Sequence, residues 1–213
     1  MSVAVLFDLD GTLTDSSEGI ISCALKAFDS YGIEFPDKSV LRSIIGPPLK
    51  DSFIRFGVPE DQADAAVALY RKHYVPKGML QNYPYPGIEE VLQKLKEQGY
   101  HLYVATSKPE FMAKEILEHF GLAKYFDIIA GALTDRERNQ KSDVIAYLLG
   151  KIPEKTKVIM VGDTKYDVLG AAVHRIPTVC VGWGFGEDEE MLEAGAVAIV
   201  QTMDELYDQL IVM

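Results

Sequence analysis

Cysteine is scarce in this chain: Cys23 and Cys180 are the only two in 213 residues. Two thiols cannot build a disulfide framework or a thiolate metal site, so each reads as a small apolar side chain in packing. No run approaches the roughly 18 apolar residues that a spanning helix needs, so no membrane span is expected. The N-terminus has no basic region followed by an apolar stretch, and Asp8 interrupts the first hydrophobic run, so the chain reads as cytoplasmic. Positive charge is in deficit, with 21 Lys and Arg against 32 Asp and Glu and a net charge of −11. That balance argues against a nucleic-acid backbone or an anionic membrane as main partner. Small anionic substrates stay open, because local positive charge can outweigh the global sign. Internal repeats and low-complexity tracts are missing as well. The remaining composition, 48% hydrophobic and 25% charged, is that of an ordinary globular chain holding one large or two modest domains.

Short apolar runs at Val3–Phe7, Leu102–Ala105, Phe126–Ala130, Val158–Val161 and Thr178–Val181 read as buried parallel strands, with Ala198–Val200 a weaker sixth. Helical spacing lies between them: Ile88, Val91, Leu92 and Leu95; Met112, Ile116, Leu117 and Phe120; Val144, Ile145, Leu148 and Leu149. Strands alternating with helices imply a doubly wound α/β domain, in which ligands bind beyond the carboxyl ends of the strands. The stretch from Asp15 to Tyr85 contains no convincing strand. Ile21, Ala24, Leu25 and Phe28 mark one amphipathic helix there, followed by a turn at Tyr31-Gly32. Further helices are expected over Lys38–Ile45, Leu49–Phe56 and Glu60–Tyr74, broken at Gly46-Pro47-Pro48 and Gly57-Val58-Pro59. The expected organisation is therefore a parallel-sheet core, residues 1–14 and 86–213, with an all-helical insertion at 15–85. Pro84-Tyr85-Pro86-Gly87 would be the return hinge.

Polar signals fall where strands end. Asp8-Leu9-Asp10-Gly11-Thr12 follows the first apolar run, and residues two apart on a strand face the same way. Two carboxylates held together repel unless a cation or a shared proton relieves them. Thr106-Ser107-Lys108 follows the second strand and suits a phosphate or another oxyanion. The alternative is a helix N-cap made by Ser107. Gly162-Asp163-Thr164-Lys165-Tyr166-Asp167 follows the fourth. Asp163 and Asp167 could ligate a hard cation such as Mg²⁺, or simply open a capped helix. Lys141 opens a helix after the polar stretch Thr134–Gln140 and could neutralise a negative intermediate, with Lys108 and Lys165 as competitors. Trp183-Gly184-Phe185-Gly186 is either a loop at a site mouth or aromatics packed on the core, with packing the favoured reading.

Four signals in this order, DLDGT at Asp8–Thr12, VATSK at Val104–Lys108, Lys141 and GDTKYD at Gly162–Asp167, resemble the haloacid dehalogenase (HAD) superfamily of phosphotransferases. The resemblance spans nearly the whole chain, since the helical insertion looks like that family's cap on a Rossmann-like core. It implies that Asp8 is the nucleophile, forming an aspartyl-phosphate, and that Asp10 is the acid and base. It implies that Thr12, Thr106, Ser107 and Lys141 hold the phosphoryl group. Mg²⁺ would be bound by Asp8, the backbone carbonyl of Asp10 and Asp163, with Asp167 supporting. Asp10 sets the chain apart from the dehalogenase branch, which lacks this second acid. Ser142-Asp143 after Lys141 departs from the Lys-Pro pairing common among phosphoglycolate phosphatase-like members. The segment Ile44-Ile45-Gly46-Pro47-Pro48-Leu49 is similar to the substrate loop of phosphoglycolate phosphatase and nucleotidase relatives, and nearby Arg42, Lys50 and Arg55 are candidates for a substrate's anionic end.

The implied activity is Mg²⁺-dependent hydrolysis of a small phosphorylated metabolite, foremost a nucleoside 5′-monophosphate or phosphoglycolate, by a monomer or homodimer. A sugar phosphatase or phosphomutase and an inorganic pyrophosphatase are alternatives on the same scaffold. A phosphate-accepting signalling module is the alternative from another class, and a catalytically idle binding protein is a third.

Overall fold

In the computed structural model, residues 2–35, 38–133 and 138–213 are described. The first apolar run forms strand β1 (Val3–Phe7), whose Ala4, Val5, Leu6 and Phe7 are fully buried. A strand apolar on both faces belongs inside a parallel sheet covered by helices, and that is where β1 lies. The chain then passes through the two-residue strand β2 (Thr14–Asp15) and the helices α1 (Ser17–Asp29), α2 (Leu49–Arg55) and α3 (Ala63–Tyr74). It returns through the two-residue strand β3 (Tyr83–Pro84). From there strands and helices alternate: α4 (Ile88–Glu97), β4 (His101–Pro109), α5 (Glu110–His119), β5 (Ile128–Ala132), α6 (Lys141–Leu149), β6 (Lys157–Gly162), α7 (Lys165–Ala172), β7 (Thr178–Val181), α8 (Asp188–Glu193), β8 (Ala198–Val200) and α9 (Met203–Val212).

The chain divides into two compact units, one of residues 1–15 and 84–213, the other of Ser16–Tyr83. In the first, six parallel strands take the order β5-β4-β1-β6-β7-β8. After β1 the chain builds β4 and β5 on one side of it, then crosses to build β6, β7 and β8 on the other. The carboxyl end of β1 is thus the topological switch point, where the connections diverge and leave a crevice. One face of the sheet, through Leu6, Tyr103, Ala105, Ala130 and Met160, packs with Val144, Ile145 and Leu148 of α6. Burying side chains of that size stabilises by about 1.5–3 kcal/mol each.

The fold class read from the apolar runs is the one observed, and β1, β7 and β8 have the expected bounds. The third strand begins two residues later, at Ile128, because Phe126 closes the turn before it and packs edge-on against Phe7, with ring centroids 6.2 Å apart. Among the described residues no helix is long and apolar enough to cross a membrane.

The second unit consists of α1–α3 with short 3₁₀ turns at Lys38–Ile44, Glu60–Gln62 and Gly78–Leu80. Phe28 anchors it, with Phe53 at 4.9 Å, Phe35 at 4.8 Å and Phe56 at 5.9 Å. The buried face of α1 is Gly19, Ile20, Cys23, Ala24, Ala27 and Phe28, rotated from the stripe through Ile21 and Leu25 that periodicity suggests. Small residues set that rotation. A Cβ on Gly19 would sit 1.9 Å from the Gly78 carbonyl oxygen, and one on Gly78 would sit 2.5 Å from Cys23 Sγ. Close backbone approach of this kind leaves no mark in a pattern of large apolar side chains.

Candidate active site

The segment after β1 turns tightly: Leu13 N and Thr14 N both donate to Leu9 O, and Gly11 adopts φ +87°. Only glycine takes that backbone without strain. Space makes the same demand, since a Cβ there would lie 2.0 Å from Asp163 Oδ2. The turn sets Asp8 beside the carboxyl end of β6, tied by Asp8 N to Val161 O at 2.9 Å.

Asp8, Asp163 and Asp167 converge, each offering a carboxylate oxygen within 4.8 Å of the others. All three are buried. Lys141, the first residue of α6 and 7% exposed, reaches them across the sheet. Its Nζ lies 2.8 Å from Asp8 Oδ1 and 2.6 Å from Asp167 Oδ1, and it donates to Ala105 O at 2.9 Å. Gly170 of α7 makes room for this reach, because a Cβ there would lie 2.6 Å from Lys141 Cγ. At these distances the ammonium makes charge-assisted contacts with both carboxylates.

Asp167 has a second task. Its Oδ2 accepts from Thr164 N at 3.0 Å, Thr164 Oγ1 at 2.9 Å and Asp163 N at 3.2 Å, capping α7. The capping reading of this segment therefore holds, and the same carboxylate also faces Lys141. Asp163 is gripped differently: Thr12 Oγ1 donates to its Oδ1 at 3.1 Å and Phe185 N to its Oδ2 at 2.9 Å. Thr12, expected at the phosphoryl group, has its hydroxyl engaged on Asp163.

Electrostatics match this crowding. Burial, then the charge of Asp167, pushes the Asp8 carboxyl up to about 6 despite Lys141. Burial together with Asp167 and Asp8 raises Asp163 well above the usual carboxylate range. Burial disfavours the charge on Lys141, but Asp167 and Asp8 outweigh it and raise its affinity for the proton. Ionising all three carboxylates against one ammonium would leave two negative charges uncompensated, which is what holds the protons on. Buried oxygens of this number and spacing fit a hard divalent cation.

Asp10 lies outside this cluster. Lys108 holds it, Nζ at 2.6 Å from Oδ2 and 2.8 Å from Oδ1, and the lysine is buried. Of the three lysines open in sequence, Lys141 takes Asp8, Lys108 takes Asp10, and Lys165 pairs with Glu190 on the surface. In sequence, Lys108 stands in the Thr106-Ser107-Lys108 segment suited to an oxyanion and as a competitor of Lys141; its pairing with Asp10 is a finding of the structure. Alternation along β4 was the available signal, since it puts Thr106 and Lys108 on one face.

Thr106 is buried and its Oγ1 accepts from Lys108 N at 3.2 Å. Ser107 is exposed and lies within β4, which runs on to Pro109 through an irregularity in its register. It is not the helix cap, because α5 begins at Glu110 with Pro109 in the cap position. Of the polar stretch before Lys141, residues 134–137 lie outside the described residues. In the helical unit, Lys50 pairs with Asp64 at 2.8 Å, and Arg55 donates to Ser43 O at 2.7 Å.

For the loop after β7 the site-mouth alternative, not the favoured packing one, matches the contacts it makes. Trp183 Nε1 donates to Thr12 O at 3.3 Å, and Gly186 N donates to Asp163 O at 3.1 Å. Its glycines were the signal, spaced for close backbone approach rather than for packing aromatics alone.

Comparison with known proteins agrees with this architecture. Residues 5–181 match the family model of haloacid dehalogenase-like hydrolases. The chain is 41% identical over 209 residues to the tyrosine-protein kinase PtkA of Mycobacterium tuberculosis, covering 97% of this chain and 72% of that one. It is 40% identical over 191 residues to a 5′-nucleotidase of Pseudomonas aeruginosa, covering 88% and 86%. The crystal structure of a protein described as a predicted phosphatase from Clostridium acetobutylicum superposes with a TM-score of 0.93 at 44% identity, covering all of both chains. By sequence, by fold and by the carboxylates gathered at the end of β1, the chain belongs to the haloacid dehalogenase-like hydrolase family.

Proposed function

We propose that this chain is a phosphomonoester hydrolase working through an aspartyl-phosphate on Asp8. The observation that carries this reading is the division of labour between two acids on one turn. Asp8 faces Lys141 and Asp163, while Asp10, two residues on, is held apart by Lys108. A carboxylate attacks a phosphate only where positive charge lies between them. Asp8 has that setting. Its oxygen forms a bond to phosphorus as the bond to the leaving oxygen breaks, and Asp10 gives that oxygen a proton. Asp10 then takes a proton from water, which attacks phosphorus and frees both phosphate and Asp8.

Asp8, the backbone carbonyl of Asp10 and Asp163 would hold Mg²⁺, with Asp167 behind them. Bound there, it supplies charge neutralisation between nucleophile and phosphate. Thr106, the Ser107 amide and Lys141 would steady the phosphoryl oxygens. The helical insertion is read as the cap that selects the leaving group and excludes water.

Nucleoside 5′-monophosphates are the favoured substrates, supported by the 5′-nucleotidase relative, which aligns over most of both chains. Phosphate release is the test, from a panel of nucleoside monophosphates, phosphoglycolate, hexose phosphates and pyrophosphate. Release that needs Mg²⁺, stops with EDTA and is fastest on a nucleoside monophosphate is expected; no release from any member would overturn the reading. The kinase name of the 41%-identical relative favours a second reading, transfer to a tyrosine hydroxyl in place of water. Label from γ-³²P-ATP appearing on protein, with no free phosphate, would favour it.

Lys108 gives a narrower expectation. Lys108→Met frees Asp10 to move, and a misplaced acid costs about ten- to a hundredfold in kcat. The loss should be larger on alkyl phosphates, whose leaving oxygen needs the proton, than on p-nitrophenyl phosphate, whose leaving group departs unaided. Equal losses on both would show that Lys108 does not act through Asp10.

A further inference from the structure

The reaction derived above gives no part to the loop Trp183–Gly186. Yet this loop touches Asp163 at both ends of that residue. Phe185 N donates to the carboxylate at 2.9 Å and Gly186 N to the backbone carbonyl at 3.1 Å. It also grips the other support of Asp163: Trp183 Nε1 donates to Thr12 O at 3.3 Å, and Thr12 Oγ1 donates to Asp163 Oδ1 at 3.1 Å. Tyr85 holds the loop from outside, its hydroxyl donating to Trp183 O at 3.4 Å with the two rings 6.1 Å apart.

The glycines have a spatial reason. A Cβ on Gly184 would lie 2.3 Å from Asp163 Cβ, 2.5 Å from its Oδ2 and 2.6 Å from Gly11 O. A Cβ on Gly186 would lie 2.1 Å from Asp163 O. Asp163 Cβ, Asp163 O and Gly11 O are backbone or backbone-attached atoms that cannot swing away. Asp163 is therefore packed closely against both Gly11 and Gly184, with each carboxylate oxygen held by its own donor.

We propose that this loop is a positioning element for Asp163 and sets the affinity of the site for its divalent cation. The proposal rests on the reading of Asp8 and Asp163 as cation ligands. A carboxylate beside two others would turn away from them if it could. The loop denies it that freedom, so the ligand is already placed when the cation arrives. Supports of this kind typically change metal affinity by about 10- to 100-fold when removed.

The experiment is titration of the substrate-free chain with MgCl₂ by calorimetry, alongside emission from Trp183, the chain's sole tryptophan. Gly184→Ala should weaken Mg²⁺ binding about tenfold or more while thermal unfolding stays cooperative. The Mg²⁺ concentration for half-maximal turnover should rise by the same factor, with kcat recovering at saturating Mg²⁺. A folded Gly184→Ala protein that binds Mg²⁺ as tightly as the parent overturns the proposal. If that variant does not fold, Trp183→Phe decides, read by calorimetry: loss of the one hydrogen bond should weaken binding about three- to fivefold, and unchanged affinity overturns the proposal. A parent chain that binds no Mg²⁺ at all removes the cation reading itself, and this proposal with it.

Discussion

Asp8→Asn is expected to abolish turnover and, in the metal-free protein above pH 6, to raise thermal stability. The first half follows from the chemistry, because an amide cannot attack phosphorus, and loss of a nucleophile lowers kcat by about 10⁴-fold or more. The second half follows from burial. Burial above all pushes the Asp8 carboxyl up from an ordinary 3.8 to about 6 in the fold. A group whose pKa is raised by folding adds stability only while it is protonated, and that contribution disappears as pH rises through the folded value. Above pH 6 the native state carries an ion it would rather not hold, at a cost of about 3 kcal/mol on the standard conversion. Asn keeps the shape without the charge. At pH 8 its melting temperature should exceed the parent's by several degrees, on the order of 5 °C, and the gap should close by pH 4. Added Mg²⁺ should raise the parent's melting temperature and leave Asp8→Asn nearly unmoved. A variant less stable than the parent at pH 8 in EDTA would show that Lys141 and the fold compensate Asp8 fully without a cation.

The acids of the candidate site stand out in the sequence. Asp-Leu-Asp after an apolar strand puts carboxylates where burial disfavours charge, and such a placement points to function. The strand ends were legible too, because parallel strands buried on both faces leave continuous apolar runs, and Val3–Phe7 and Thr178–Val181 begin and end with them. What stayed hidden depends on atoms from distant segments. Neither Lys141 nor Lys108 carries any local sign of which acid it meets, since that depends on how α6 and β4 lie against β1. Gly170 reads as a weak spot in a helix until Lys141 is seen lying against it. Ser107 has the look of a cap, but β4 continues past it to Pro109 and leaves it exposed. Aromatic residues beside glycines in Trp183–Gly186 tilt the reading toward packing, whereas the loop meets Asp163 through its backbone N–H groups. Hydrophobic periodicity reports large side chains. Much of this site is made by small ones.

Lys141→Met should remove activity and stability together, in contrast to Asp8→Asn. Methionine keeps the apolar stem packed against Gly170 and all but the last atom of its length, so the change is chiefly loss of charge. Asp8 and Asp167 are then left buried without their cation, and breaking one side of a buried ionic group costs about 3–5 kcal/mol. Without Lys141, which lowers it at present, the Asp8 carboxyl moves further above about 6. The sign of the pH effect follows. The variant is least stable at pH 8 and recovers part of the loss toward pH 5, where Asp8 takes up a proton in the fold. Turnover should fall about 10³-fold, the scale of losing one preorganised charge at a reacting centre. Lys141→Arg should not restore it, because the lysine stem lies tight against Gly170 and its head bonds Ala105 O between two carboxylates, and a forked guanidinium has a different shape. The double variant Asp8→Asn with Lys141→Met separates the two effects. With the Asp8 charge gone, much of the lost stability should return while turnover stays absent, giving a coupling of about 1 kcal/mol or more in thermal or urea unfolding. Additive losses in the double variant would mean that Lys141 stabilises the fold through Asp167 and Ala105 alone, and that its 2.8 Å approach to Asp8 serves only the reaction.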